Sequence, residues 1–139
     1  MNSEQGAVVI HCSDPRYQGA FHSFIRDQLG LKQYALVAVP GGPQFLSAVE
    51  LLPKFAWAGW RWMKFLGKLG ATGRVILIAH EDCRWYHETG VAASSPSLRE
   101  KQDSDLRAVC AGLKERFGAI AIEQYYARFE GSRIVFDKL

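Results

Sequence analysis

Residues 74–83, with the sequence RVILIAHEDC, join a continuous apolar run to a polar cluster that contains histidine and cysteine. A short apolar run rich in β-branched residues is typical of a strand buried on both faces of a sheet. His80 and Cys83 follow where that strand ends. Ligands of open α/β sheets bind at the carboxyl ends of the strands. The segment therefore predicts a fold class and the position of a site within it.

Residues 7–16, AVVIHCSDPR, repeat the arrangement near the start of the chain. Ala7 to His11 reads as another buried strand, and Cys12, Asp14 and Arg16 follow it. Parallel neighbouring strands end at the same edge of a sheet. We therefore expect the polar residues of the two segments to converge.

The rest of the chain alternates between helical and strand patterns. Phe21, Phe24, Ile25 and Leu29 recur at helical spacing before Gly30. We expect a second buried strand at 34–39 and a helical region at 45–69 that is kinked or interrupted at Pro53. The remaining predicted elements are a helix beginning near Ser95-Pro96, with a buried face at Leu106, Val109, Cys110, Leu113 and Phe117, and two strands at 119–129 and 132–136.

These elements predict an α/β fold with a parallel β-sheet core, flanking helices and a C-terminal antiparallel strand. Residues 1–139 are expected to form a single domain, since 139 residues that are 48% apolar can bury one core. Ser95-Pro96 suits an N-cap followed by a first-turn proline.

Composition narrows the classes of function. The formal net charge of +3 is too weak to indicate nucleic acid by itself. The most apolar stretch, 51–69, contains lysines and arginine, which argues against a membrane span. The first residues lack the layout of a secretory signal, so we expect a cytoplasmic protein. Three cysteines in such a protein favour metal binding or catalysis over a disulfide framework.

Cys12, His80 and Cys83 offer two thiolates and an imidazole to one point. This donor set suits tetrahedral Zn²⁺, and three protein ligands leave a fourth position open, as in catalytic zinc sites. The alternative is that both cysteines are ordinary small residues in turns. A cysteine-phosphatase loop is excluded because Arg16 follows Cys12 too closely for the loop to wrap a phosphate.

The motif Cys12-x-Asp14-x-Arg16, followed by His80-x-x-Cys83, resembles the paired signature of β-class carbonic anhydrases. The glycine turn at 39–42 and the closing strand pair at 122–139 are also similar to that family. The resemblance implies that Cys12, His80 and Cys83 bind zinc and that Asp14 and Arg16 form a catalytic dyad. It implies a lyase in which zinc hydroxide attacks CO₂ to give bicarbonate, working as a homodimer or higher homo-oligomer.

Within that resemblance Asp14 has two possible roles. Paired with Arg16 it would accept a hydrogen bond from the zinc-bound hydroxide, and unpaired it would become the fourth zinc ligand. The chain also departs from the family pattern, with Ala79 and Arg84 at positions usually held by glycine. Arg84 and Trp85 would narrow substrate access.

Two alternative functions follow. One is hydrolysis of carbonyl sulfide or carbon disulfide at the same zinc site. The other is a catalytically silent zinc-binding interaction protein.

The sequence also predicts the roles of residues outside these motifs. The helical region at 54–69 has a narrow stripe of lysines and arginine that includes Trp57, with Trp62 and Met63 on the opposite side. A cationic edge beside a dimer contact is the expected explanation, and a membrane-surface or anionic-partner role is the alternative. We expect His11 to be a core residue or to support the metal ligands from behind, and Cys110 to be a packing residue. His87 is expected to be a surface histidine in a loop, with proton relay from the site as the alternative. Glu81 and Asp82 are expected to be loop residues, and Tyr125 and Tyr126 to divide between core and interface.

Overall fold

The structure is a computed structural model, and it describes residues 6–47, 53–68, 73–88 and 98–139. Five strands are present in these ranges: β1 (Ala7–His11), β2 (Ala35–Ala38), β3 (Arg74–His80), β4 (Ala121–Glu130) and β5 (Arg133–Lys138). The helices are α1 (Gln18–Ser23), continued by a π-helical turn (Phe24–Gln28), a 3₁₀ segment (Gly42–Leu46), α2 (Pro53–Lys68), α3 (Arg84–Glu88) and α4 (Leu98–Phe117).

The strands form one sheet in the order β2-β1-β3-β4-β5. The first three pairings are parallel, and β4 pairs with β5 in the antiparallel direction. The predicted α/β fold, a mostly parallel sheet with flanking helices and a C-terminal antiparallel strand, is confirmed.

The central strands are buried on both faces, which explains their continuous apolar sequences. Val8 and Ile10 of β1 pack with the 3₁₀ segment, α2 and α4 on one side of the sheet. Ala7 and Val9 pack with α1 and its π-helical turn on the other. Because side chains alternate along a strand, β1, β3 and β4 each contribute to both cores.

Strand β2 differs from the prediction of a buried strand. Only Val37 is buried, and Leu36 is 48% exposed. The strand lies at the edge of the sheet, where one side is not covered by a neighbour. The predicted division of Tyr125 and Tyr126 between core and interface is also wrong, because both are buried, one in each core.

The region between β2 and β3 is not one described helix. The 3₁₀ segment ends at Leu46 and α2 begins at Pro53, which agrees with the predicted interruption there. Residues 48–52 lie outside the described ranges, and so do Ser95 and Pro96, for which the N-cap was predicted. Within the described ranges, no helix combines the length and apolarity that a membrane crossing needs.

Candidate metal centre

The ends of β1 and β3 bring Cys12, His80 and Cys83 together. The strands are parallel neighbours, with Ile10 opposite Leu77, so their carboxyl ends meet at one edge of the sheet. One donor atom from each of the three residues lies within 4.8 Å of the other two. All three residues are buried. The predicted convergence of these side chains is therefore present in the structure.

The two ring nitrogens of His80 differ in their hydrogen bonding. Nδ1 donates a hydrogen bond to the carbonyl oxygen of Glu81 at 2.8 Å. Nε2 is buried and has no hydrogen-bond partner among the described residues. A donating Nδ1 leaves the Nε2 lone pair available, as in most metal-binding histidines.

The backbone at the end of β3 is fixed by Gln102 of α4 and by Tyr17, which directly precedes α1. Gln102 of α4 donates to the His80 carbonyl oxygen at 2.9 Å. The Tyr17 hydroxyl donates to the Glu81 carbonyl oxygen at 2.9 Å, and the Tyr17 ring lies 4.3 Å from the imidazole ring. These contacts hold both the backbone and the ring plane of His80.

The two cysteines are adjacent but not bonded. Their Sγ atoms are 4.0 Å apart, whereas a disulfide requires about 2.05 Å. At this distance either thiol is able to donate to the other sulfur, and the contact lowers the pKa of Cys12 below its ordinary value and raises the pKa of Cys83. The two sulfurs therefore favour loss of a first proton from the pair and disfavour loss of a second.

A glycine turn completes the surroundings of Cys12. The backbone N–H of Gly41 donates to Cys12 Sγ at 3.4 Å. Both Gly41 and Gly42 have positive φ, and a Cβ on Gly42 would lie 3.1 Å from the backbone nitrogen of Cys12. The turn after β2 can approach the sulfur this closely because neither residue carries a side chain.

These residues fit a zinc ion. Two sulfurs bound at about 2.3 Å with tetrahedral angles would lie about 3.8 Å apart, close to the observed 4.0 Å. The uncommitted Nε2 of His80 supplies a third donor within the same cluster. Two thiolates and one imidazole form a donor set that zinc favours. The described cluster offers three ligands and so leaves a fourth position for a small molecule.

Asp14 and Arg16 form a bidentate ion pair beside this cluster. Arg16 Nη2 lies 2.7 Å from Asp14 Oδ2, and Arg16 Nε lies 3.1 Å from Oδ1. The Arg16 backbone N–H also donates to Oδ1 at 2.9 Å. The Arg16 guanidinium holds the pKa of Asp14 below its usual range. The structure therefore shows Asp14 paired with Arg16.

Asp82 has a role that sequence reasoning missed. Arg16 donates to the Asp82 carboxylate at 3.1 Å and to its carbonyl oxygen at 2.8 Å. Asp82 also adopts a positive φ of 54°. The loop after β3 thus holds the arginine of the loop after β1. Asp82 was predicted only as a loop residue, and its tolerance of left-handed backbone was the one available signal.

Other supporting residues were also missed. The Gln18 amide donates to the carbonyl oxygens of Cys12 and Asp14, at 2.9 and 2.7 Å, and so fixes the loop between β1 and α1. Tyr17, Gln18 and Gln102 have no spacing that marks them in the sequence, because their partners are backbone carbonyls brought close by the fold.

The remaining predicted residues behave as follows. His11 is buried, its Nδ1 donates to the Cys12 carbonyl oxygen, and burial lowers its pKa. Cys110 is partly buried against the α4 core, as predicted. His87 is exposed, as predicted, but it lies in α3 and not in a loop, with Nε2 3.7 Å from the Asp82 carboxylate.

A cavity of about 430 Å³ lies over the site. Cys12, Asp14 and Arg16 form one side of it, and Arg84 and Trp85 form another. A smaller apolar cavity of about 210 Å³ lies beside it, and Pro40 and Trp85 line both. The larger cavity is wide enough for a small substrate, and it connects the ion pair with one of the candidate ligands.

Comparison with solved structures finds a distant structural neighbour. No protein-family model matches the sequence, and no curated protein matches it either. The crystal structure of beta-carbonic anhydrase isoform I from the protozoan Trichomonas vaginalis is similar, with 14% identity and a TM-score of 0.49. The match covers 98% of this chain and 85% of that chain. A likeness this distant leaves the assignment of function to the residues of the site.

Proposed function

We propose that this protein is a zinc-dependent lyase of the carbonic anhydrase type, converting CO₂ and water to bicarbonate and a proton. The observation that carries the proposal is the buried cluster of Cys12, His80 and Cys83 beside the Asp14–Arg16 ion pair. The resemblance of the same five residues to the β-class signature supports it. A zinc ion held by the cluster would make hydroxide available for attack on CO₂ near neutral pH.

Asp14 is the group that would orient the attacking water. Its carboxylate is fixed by Arg16, which holds the pKa of Asp14 below its usual range, so an ionised Asp14 would be the hydrogen-bond acceptor for that water. Arg16 is a positioning residue, because it holds Asp14 and is itself held by Asp82. Engagement of Asp14 by Arg16 also keeps that carboxylate from serving as a fourth metal ligand.

The deciding experiment is stopped-flow CO₂ hydration on protein whose zinc content is close to one ion per chain. We expect a rate above buffer, and we expect Asp14→Asn to reduce kcat/KM about 100-fold or more while zinc content is unchanged. Asp27→Asn is the matched control, because Asp27 forms a similar ion pair with Arg26 on the exposed surface. That control should retain the wild-type rate.

Zinc-loaded protein without any hydration rate would contradict the proposal. It would favour the catalytically silent zinc-binding protein instead. Equal losses in Asp14→Asn and Asp27→Asn would show that the effect is not specific to the site.

Hydrolysis of carbonyl sulfide or carbon disulfide is the second candidate. The observation that favours it is the apolar cavity walled by Trp85, Pro40 and Phe45 next to the larger one. Sulfur-containing linear molecules are less polar than bicarbonate and suit such walls. Hydrogen sulfide release from either compound, measured on the zinc-loaded protein, would support this candidate, and no release would exclude it.

Homodimerisation remains part of the proposal on the strength of the resemblance. The edge strand β2, with Leu36 exposed on it, is the described element most suited to pairing with a second copy. Light scattering on the purified protein tests this point.

A further inference from the structure

The outer face of α2 combines exposed aromatic rings with cations. Trp57 is 67% exposed and Phe65 is 58% exposed, although each is a large apolar side chain. Arg61, Lys64 and Lys68 are exposed on the same helix. Positions 57, 61, 64, 65 and 68 follow the spacing of a single helical stripe. Aromatic rings and cations therefore share one surface, opposite the side on which Met63 is buried.

The charge of this surface is uncompensated. Helix α2 contains Lys54, Arg61, Lys64 and Lys68 and no acidic residue. In the part of the chain that the structure describes, none of these four forms an ion pair with a carboxylate. The partner that fits them carries negative charge.

A groove beside the stripe adds a further cation. It has a volume of about 540 Å³ and lies between α2 and the end of α4, lined by Trp57, Trp60, Arg61, Lys64, Arg116 and Phe117. Arg116 lies over the Trp60 ring at 3.8 Å, and Arg61 lies over the Trp57 ring at 5.6 Å. Three cations on aromatic walls suit a phosphate headgroup.

We propose that this face of α2 binds the surface of an anionic lipid bilayer, with Trp57 and Phe65 inserted at the interface and the cations on lipid phosphates. Aromatic residues with lysines and arginines are the composition of helices that lie on such surfaces. The proposed attachment is to the bilayer surface. No described helix is long and apolar enough to span the bilayer. This inference is independent of the proposed function.

Two other occupants fit less well. A second copy related by two-fold symmetry would place this cationic stripe against itself, which is unfavourable. A single-stranded nucleic acid needs open ring faces on which bases stack. Here the Arg116 guanidinium already lies over one of the rings of the groove, that of Trp60.

The test is co-sedimentation of the zinc-loaded protein with vesicles of phosphatidylcholine, with and without phosphatidylserine. We expect binding only when phosphatidylserine is present, with a blue shift of tryptophan fluorescence. Binding should weaken between about 0.1 M and 1 M salt, as the Debye length falls from about 10 Å to about 3 Å. The double variant Arg61→Glu/Lys64→Glu should bind about 30-fold more weakly or worse.

Control variants separate the effect of charge on binding from the effect of the aromatic rings and from a loss of folding. Lys32→Glu/Arg133→Glu makes the same change in net charge at exposed positions away from α2 and should bind like the wild type. Trp57→Ser/Phe65→Ser should lose binding, and Leu36→Ser should not. Circular dichroism checks that each variant is folded.

Four outcomes would overturn the proposal. The first is no binding to phosphatidylserine vesicles, and the second is equal binding by both charge-reversal variants. The third is conversion of a dimer to a monomer by the α2 variants, and the fourth is preferred binding to single-stranded RNA. Either of the last two would assign the face to another partner.

Discussion

His80 is prepared for a metal by what its other atoms already contact. Nδ1 donates to the Glu81 carbonyl oxygen. Gln102 donates to the carbonyl oxygen of His80, and Tyr17 donates to that of Glu81. The ring therefore presents Nε2 without rearrangement. Two sulfurs 4.0 Å apart complete a set of donors whose spacing is close to that required by zinc.

Removal of either sulfur should remove the metal. We predict that Cys83→Ser lowers zinc content from about one ion per chain to near zero, because serine oxygen is a poor ligand in a thiolate site. The measurement is metal analysis after dialysis. Cys110→Ser is the matched control, because Cys110 packs on α4 away from the cluster, and it should keep its zinc. Retention of zinc by Cys83→Ser would contradict the assignment of the ligands.

Asp82 acts through Arg16, so its removal should cost less than the loss of Asp14. We predict that Asp82→Ala lowers the CO₂ hydration rate about 10-fold, which is a typical effect of a supporting contact. The loss should appear in kcat with zinc content unchanged. Asp103→Ala, which removes a surface ion pair with Arg99 on α4, should leave the rate unaltered. An effect of Asp82→Ala as large as that of Asp14→Asn would show that Asp82 has a more direct role.

Helix α4 supports the site through more than one contact. Besides Gln102, it provides Asp105, which accepts hydrogen bonds from the Tyr86 hydroxyl at 2.6 Å and from Lys101 at 2.8 Å. Tyr86 belongs to α3, which begins directly after Cys83. The α3–α4 contact therefore fixes the segment that carries the second candidate sulfur.

The contact between α3 and α4 should be measurable as stability. We predict that Tyr86→Phe lowers the free energy of unfolding by about 1–3 kcal/mol, since it leaves a lone pair of a buried carboxylate without its donor. Urea denaturation gives the value. Tyr34→Phe, at a half-buried tyrosine, should change stability by less than about 0.5 kcal/mol. Equal stabilities for wild type and Tyr86→Phe would contradict this account of α3.

Strands β3 and β4 are joined by a side-chain ion pair as well as by their backbones. Arg74 pairs with Glu123, and this contact lowers the pKa of Glu123 below its ordinary value of 4.5. A carboxyl with a lowered pKa stabilises the fold above its unfolded pKa and loses that contribution as pH falls through the folded value.

The pH dependence follows from that sign. We predict that Glu123→Gln is about 1 kcal/mol less stable than the wild type at pH 7, and that the difference shrinks as the pH falls below the ordinary glutamate pKa of 4.5. Calorimetric melting at several pH values measures it. Glu130→Gln, on the exposed end of the same strand, should show a much smaller difference throughout. A stability difference between Glu123→Gln and the wild type that increased on acidification would contradict the lowered pKa of Glu123.

Sequence reasoning succeeded for elements whose residues are buried on both sides. The apolar runs of β1 and β3 have few other interpretations, and Gly131 at positive φ closes the C-terminal hairpin where a turn was expected. It failed for β2, because an edge strand can carry the same apolar residues as a central strand. Leu36 is exposed because β2 lies at the edge of the sheet. The residues next to Leu36 in the sequence do not indicate that position.

The whole molecule explains why the candidate ligands could be predicted and their supports could not. Cys12, His80 and Cys83 lie next to strand ends, so a parallel sheet alone brings them together. Asp82, Gln102 and Tyr17 depend on how loops and helices pack over that edge, and their partners are 22 to 66 residues away along the chain. Contacts between a side chain and a distant backbone carbonyl leave no periodic pattern.

Zinc bound at this edge would link β1 to the segment after β3, so the metal should stabilise the entire fold. A ligand that binds only the folded state at 100 times its Kd adds about 2.7 kcal/mol. We predict that chelation lowers the melting temperature by several degrees and that added zinc restores it. Cys83→Ser should respond to neither treatment. A chelator-insensitive melting temperature in zinc-loaded wild type would contradict this linkage.

Zinc K-edge X-ray absorption on the zinc-loaded protein tests the central claim most directly. The account predicts two sulfurs at about 2.3 Å and two nitrogen or oxygen atoms at about 2.0–2.1 Å, and it predicts that dialysed Cys12→Ser gives no such zinc–sulfur shell because the variant loses its zinc. A shell of nitrogen and oxygen alone, or one that Cys12→Ser leaves unaltered, would contradict the claim that Cys12, His80 and Cys83 hold the metal.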